Sequence, residues 1–447
     1  MGVDAFGGRN GGGSGALEPS RRSAGGACAT ASSATGAGRP LLLSRRAGLA
    51  GLLAGLVAGR AVLAAPAGAG CSWPLWQTFK EQLVQPDGRV LDASTPQKHS
   101  SSEGQSYAMF LALVAGDREV FDRAWRWAVD NLLGGRVEGR LPAWFWGLAP
   151  DGSWRVLDDN SASDADLWIA YALLEAARLW KVPAYERDAR LLLAEIERRE
   201  VVDVPGLGPM LLPGERGFVH ADPRRPGVRI WHFNPSYLPV QVLRRLAVAA
   251  PRGPWGRMVG GTLALLRLAT APSGFAPDWV AYTVDAEGRA AVEPHPAKGD
   301  AGSYDAIRTY LWAGMLPRSD AAAAEMRALV RGLPSQTAAT GVPAESVSVA
   351  TGKVAGTGPF GFSAALLPYF DAAGDAASLA RQRTRVADGL QQVLAAEATA
   401  LRQPPYYDIV LTLFGLGWLE GRYRFTRNGA LEPAWKTSPC RAATSLR

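Results

Sequence analysis

The sequence predicts an all-α fold, a toroid of paired helices whose long loops form a substrate cleft at one end. Apolar residues recur at helical spacing from about residue 72 to 425. Loops rich in Gly, Pro and Trp break that spacing at 141–160, 204–235 and 334–359, and no Pro/Ser linker divides the span. A single domain over 67–447 follows. An array of helical repeats is the competing reading, but the text shows no self-similarity at a fixed period.

Taken in order, a first helix is expected near 73–83, and a pair at 103–115 and 117–133 follows it. After the first long loop come 165–180 and 185–199, then 237–250 and 255–271 beyond the second. The chain continues with 304–315 and 320–333, and past the third loop with 362–373, 376–400 and 407–421. Strand-like text is short, at 217–220 and 229–233.

Residues 1–40 are Gly/Ala/Ser-rich without periodicity and read as a disordered leader. Ser44-Arg45-Arg46, the apolar run 47–58 and the small residues 61–65 then make an export signal with a twin-arginine-like start. Residues 1–66 are therefore excluded from the fold. The run between Arg46 and Arg60 falls short of the ~18 residues a span requires, so no stable membrane anchor is expected after cleavage. A periplasmic or secreted location follows. The formal charge is +7, but seven arginines against two acids in residues 1–66 leave only +2 for the rest. A nucleic-acid or membrane-surface role loses its main support. Cys71 and Cys440 flank the domain and could form one disulfide or remain two thiols. The four histidines are scattered without metal-ligand spacing, so neither metal nor cofactor is expected.

Three segments place an acid at a helix start: Ser102-Glu103-Gly104, Ser163-Asp164-Ala165-Asp166 and Ser303-Tyr304-Asp305. Each alone is explained by capping, since anions offset the dipole and the free N–H groups of a first turn. If the helices stand side by side, the carboxylates converge, and facing carboxylates are the minimum equipment for cleaving a glycosidic bond. Glu103 as an acid would then need neighbouring carboxylates and partial burial to keep its proton. Arg308, one turn beyond Asp305, is placed to pair with it and hold it ionised. Aromatic residues surround these starts. The 15 Trp exceed both the 13 Phe and the 11 Tyr, which suits flat platforms for sugar rings as well as core packing.

The stretch from Ala162 to Trp180 resembles the signature of glycoside hydrolase family 8 over its whole length. The agreement continues in order through SEGQSYAM (102–109), LPAWFWG (141–147), VPGLGPMLLPG (204–214), FNPSYLP (233–239), SYDAIRTYLWAGM (303–315), GPFGFSAALLP (358–368) and YYDIVLTLFGLGW (406–418). The resemblance implies an (α/α)6 barrel and an inverting endo-β-1,4-glucanase. Glu103 would be the general acid and Asp305 the base, with Asp164 the third carboxylate binding the distorted sugar. Asp166 would share or support that last role. Trp144, Trp146, Tyr237, Tyr304, Tyr406 and Tyr407 are the implied glucosyl platforms, with Asn234 and Arg308 completing the substrate contacts. The implied partners are a β-1,4-glucan chain and the cellulose synthase/export complex.

Segments 220–229 and 293–300 depart from the family pattern and read as insertions, expected to be solvated surface loops. Two other functions remain open at this level. The same fold could act on xylan, chitosan or mixed-linkage glucan, although chitosan would call for an acidic cluster that the text lacks. An inactive glucan-binding assembly factor would not need Glu103, Asp164 and Asp305 together.

Overall fold

A computed structural model describes residues 72–400 and 403–437 of the chain. These residues belong to one compact unit. The leader, the export segment, Cys71 and Cys440 lie outside the described residues.

Thirteen helices are described: α1 (Pro74–Leu83), α2 (Ser102–Ala115), α3 (Arg118–Asn131), α4 (Ser163–Trp180), α5 (Pro183–Arg199), α6 (Val240–Ala249), α7 (Trp255–Ala269), α8 (Ala306–Met315), α9 (Ala322–Leu329), α10 (Gly332–Thr340), α11 (Phe360–Ala373), α12 (Ala376–Ala400) and α13 (Tyr406–Leu419). Helices α2, α4, α6, α8, α11 and α13 form an inner ring, and α13 returns to α2. Each inner helix packs on an outer partner, in order α3, α5, α7, α9 and α12, with α1 backing α13. This is the (α/α)6 barrel.

Side-chain polarity sorts the two rings. Residues 102–114 of α2, 163–176 of α4 and 306–315 of α8 are buried on every face. A helix apolar all round has no stable place except inside. By contrast α5 buries only Tyr185, Ala189, Leu192, Leu193 and Ile196, one stripe at 3–4-residue spacing, and faces water elsewhere. The barrel axis is filled by interlocking rings. Phe110 stacks on Phe414 at 5.2 Å, and Trp168 meets Phe110 at 4.9 Å and Trp312 at 5.3 Å. Burial of each such ring contributes on the order of 1.5–3 kcal/mol. No helix among the described residues is long and apolar enough to cross a membrane.

Two helical expectations change at prolines. The segment 237–250 begins instead as a 3-10 turn, Pro235–Tyr237, and α6 starts only after Pro239. The segment 320–333 breaks at Val330, and α10 begins at Gly332 and runs on to Thr340, into what reads as loop. Pro334 lacks the N–H that the interior of one long helix would use, but the first turn of a new helix tolerates it. The segments read as insertions are largely exposed, as expected, and border one sheet. Strands Val219–Ala221, Arg229–Phe233, Val280–Val284 and Ala290–Pro294 form one antiparallel sheet. Arg225 ties its two hairpins together through a double contact to Glu293 at 2.7 and 2.9 Å.

Candidate active site

The starts of the inner helices meet at one end of the barrel, where Arg308 gathers all three acids. Its Nη1 donates to Glu103 Oε1 at 2.7 Å and Asp164 Oδ2 at 2.9 Å, and its Nη2 to Asp305 Oδ1 at 2.7 Å. Tyr107 Oη accepts a further bond from Nη1 at 3.0 Å, and the Tyr237 ring lies 5.4 Å from the guanidinium carbon. Sequence spacing anticipates the Arg308–Asp305 pair. It gives no sign that the same guanidinium reaches Glu103, 205 positions away.

Capping does not account for these acids. Ser101 caps α2 by accepting the Gly104 N–H at 3.0 Å. Asp305 makes no capping bond at the start of α8. Asp164 takes only the adjacent Ala165 N–H, at 2.8 Å. Two of the three carboxylates are therefore spared the ordinary role of a first-turn acid.

Accessibility separates them. The side chain of Asp305 is 26% exposed and that of Glu103 10%, whereas Asp164 is 2% exposed. Glu103 and Asp305 can meet a substrate, and Asp164 lies behind them. One cation faces three carboxylates, so the group favours keeping a proton. Asp164 is pushed well above the usual carboxylate range by burial and by the adjacent Glu103 charge, which also hydrogen bonds with it. That proton sits next to Glu103. Burial likewise raises Asp305, against the pull of Arg308 and a bond from Trp279 Nε1 to Oδ2 at 2.9 Å. The ion pair predicted for Asp305 forms, but burial outweighs it.

Asp166 does not join the cleft. One residue advances a helix by about 100°, so Asp164 and Asp166 point to different sides. Asp166 is fully buried against Glu200, which is also fully buried and accepts the Ser161 hydroxyl at 2.6 Å. Both oxygens of Asp166 and Oε2 of Glu200 lack a donor, so the two carboxyls must share a proton. Burial, helped by the charge of Glu215, drives Glu200 up to about 8 from its ordinary 4.5. A carboxyl raised on folding stabilises the fold while protonated. Its contribution is therefore lost as pH rises from about 4.5 through about 8. The thermal midpoint should fall by several degrees between pH 5 and 8. Glu200→Gln, followed by calorimetry across that window, should flatten the fall; an unchanged slope would exclude the shared proton.

The predicted aromatic residues divide into two groups. Tyr237, Tyr304, Tyr406 and Tyr407 border the acids. Tyr407 Oη donates to the Tyr304 carbonyl at 2.6 Å, and Tyr304 Oη to Glu345 at 3.0 Å. The Tyr406 hydroxyl has no partner and lies beside Gly104, where a Cβ would approach it to 3.3 Å. Trp146 instead belongs to a separate stack with Trp127, Trp154 and Arg89. Trp144 is buried, and its carbonyl anchors the Ser102 N–H at the start of α2. Asn234 uses its Oδ1 to hold Ser236, while its Nδ2 faces Asp305 without a full hydrogen bond. Sequence reading missed Tyr107, Glu200, Asp278 and Trp279. Tyr107, four residues after Glu103, lies on the same helical face and could have been found.

Known proteins share this fold. The profile of the glycosyl hydrolases family 8 matches residues 51–421. An endoglucanase from Xanthomonas axonopodis pv. citri is 48% identical over 397 residues, covering 88% of this chain and 98% of its own length. An endoglucanase from Escherichia coli K12 is 45% identical, over 82% of this chain and 92% of its own. The crystal structure of an endo-1,4-D-glucanase from Vibrio fischeri superposes with a TM-score of 0.72 at 38% identity, covering 82% of this chain and all of that one.

Proposed function

The chain belongs to glycosyl hydrolase family 8 and is an endoglucanase, and from that premise we propose that it hydrolyses internal β-1,4 bonds of cellulose with inversion. The observation that carries the reading is the single guanidinium bonded to Glu103, Asp164 and Asp305. Glu103 is the general acid and gives its proton to the departing glycosidic oxygen. The proton held with Asp164 lies one hydrogen bond away and supplies it. Asp305, the most exposed of the three acids, is the base and takes a proton from the attacking water. Oxygens bonded to the two ends of one guanidinium lie at most about 8 Å apart, a ceiling that admits the lower part of the ~6.5–9.5 Å range of inverting enzymes. Asp164, almost wholly covered, acts by holding that proton and the charge of Arg308.

The platform for the glucan is the tyrosine border formed by Tyr237, Tyr304, Tyr406 and Tyr407. The export segment at 44–65 supports a periplasmic or secreted site of action, and the relatives' activity fits trimming of β-1,4-glucan beside a cellulose synthase/export complex. The test is an assay of the mature protein on carboxymethylcellulose, xylan, mixed-linkage glucan and chitosan, with Asp305→Asn alongside. Cellulose derivatives should be preferred, and the Asn variant should lose ~10²–10⁴-fold in kcat. Full activity in that variant would remove the base from Asp305, and preference for xylan or chitosan would change the polymer.

A further inference from the structure

Two consecutive residues outside the helices grip Asp305 from both sides. Asp278 Oδ1 accepts the backbone N–H of Ser303 at 2.7 Å, of Asp305 at 3.1 Å and of Ala306 at 2.7 Å. Its Oδ2 takes the Ser303 hydroxyl at 2.5 Å, and its own N–H donates to Ala301 at 2.7 Å. The free N–H groups at the start of α8 are thus satisfied by a carboxylate more than twenty residues upstream. That leaves the Asp305 side chain free for other work. The two segments can lie this close only because residue 302 is glycine, since a Cβ there would stand 2.2 Å from the Ala276 carbonyl.

Trp279, the next residue, holds the carboxylate itself. Its Nε1 donates to Asp305 Oδ2 at 2.9 Å while Arg308 donates to Oδ1 at 2.7 Å. One donor on each oxygen fixes the carboxylate plane and leaves each oxygen a lone pair for a water. The Trp279 ring is in turn braced on three sides. Phe218 stacks on it at 6.1 Å, and Tyr237 and His295 meet it edge-on at 6.0 and 5.7 Å. Phe218, beside the strand Val219–Ala221, and His295, in the departing segment 293–300, thus brace the ring that holds the base.

We propose that Asp278 and Trp279 are positioning residues for the base, Asp278 fixing the backbone of Asp305 and Trp279 aiming its carboxylate. The proposal rests on Asp305 being the base. Placement errors of about 1 Å at a reacting group cost on the order of 10²-fold in rate, which sets the size of effect at stake. The charged and titratable groups facing Asp305 are Arg308 on its own helix, Glu103 from α2, Asp278, and the phenols of Tyr237 and Tyr407. His295 reaches it only through the Trp279 ring. The Trp279 bond favours the ionised form of Asp305, and the Asp278 charge disfavours it.

The two residues therefore predict opposite pH shifts. Trp279→Phe keeps a ring in place and removes only the donor. It should lower kcat by ~10–100-fold, leave KM within about twofold, and move the acidic limb of kcat/KM to higher pH. Asp278→Asn keeps an oxygen to accept the backbone bonds and removes the charge, so its acidic limb should move to lower pH. A purely structural role would move neither limb. Wild-type kcat and an unshifted limb in Trp279→Phe would overturn the proposal, as would a raised KM at constant kcat, which would make Trp279 a sugar contact. Asp305→Asn, assayed in parallel, separates the two levels: near-wild-type activity there would sink the base assignment itself, whatever the clamp variants show.

Discussion

Glu103→Gln is expected to lower kcat on carboxymethylcellulose by ~10³-fold or more while the protein stays folded. The amide keeps the size of the side chain, and its carbonyl oxygen can still accept the Arg308 bond now made at 2.7 Å. What it cannot do is release a proton to the glycosidic oxygen. The loss should depend on the leaving group. An aryl cellooligosaccharide whose phenolate departs without protonation should be cleaved by the variant at close to the wild-type rate. Equal losses on the polymer and on the activated substrate would mean that Glu103 binds or orients and does not act as an acid.

Removing Arg308 should have the larger effect on the fold. Arg308→Met leaves Glu103, Asp164 and Asp305 without their cation in a site where Asp164 is 2% exposed. Breaking a buried ion pair by deleting one partner costs about 3–5 kcal/mol, and here one deletion breaks three contacts. The cost should depend on pH in a defined direction. Without the cation the carboxyls ionise less readily, so protonation replaces the guanidinium at low pH and the destabilisation grows as pH rises from 5 to 8. Urea unfolding at pH 5 and pH 8 measures this, and activity should be lost at both. Arg308→Lys should recover part of the stability and little of the activity, because one ammonium cannot span oxygens held by two separate nitrogens. A Met variant equally stable at both pH values would show that the three carboxyls do not depend on Arg308 for their charge.

The barrel was legible because its signal is local and long. The inner helices α2, α4 and α8 are apolar on every face and the outer α5 on one stripe, so spacing alone separates core from rim. Local rules failed where the chain answers to distant partners. The strand Val280–Val284 pairs with Arg229–Phe233, nearly fifty residues earlier, and neither alternation nor turn residues announce that pairing. At the site, a one-turn spacing foretold the Arg308–Asp305 contact, because helix geometry fixes it. The reach of Arg308 to α2 and α4 depends on how the helices stand side by side and leaves no trace in spacing. Asp166 shows the converse: the resemblance let it share or support the role of Asp164, and helical rotation turns it away from the cleft to Glu200. Asp278 and Trp279 lie in a loop whose meaning comes only from the 2.7–3.1 Å bonds it makes to the start of α8.

The stereochemistry of the cut tests the whole arrangement at once. Proton NMR of a cellooligosaccharide digest, recorded in the first minutes before mutarotation, should show the new reducing ends in the α configuration. That result follows if Asp305 activates a water on the face opposite the proton delivered by Glu103. Reducing ends released as the β anomer would mean a covalent intermediate and two carboxyls ~5–5.5 Å apart, and would contradict the roles given to Glu103 and Asp305.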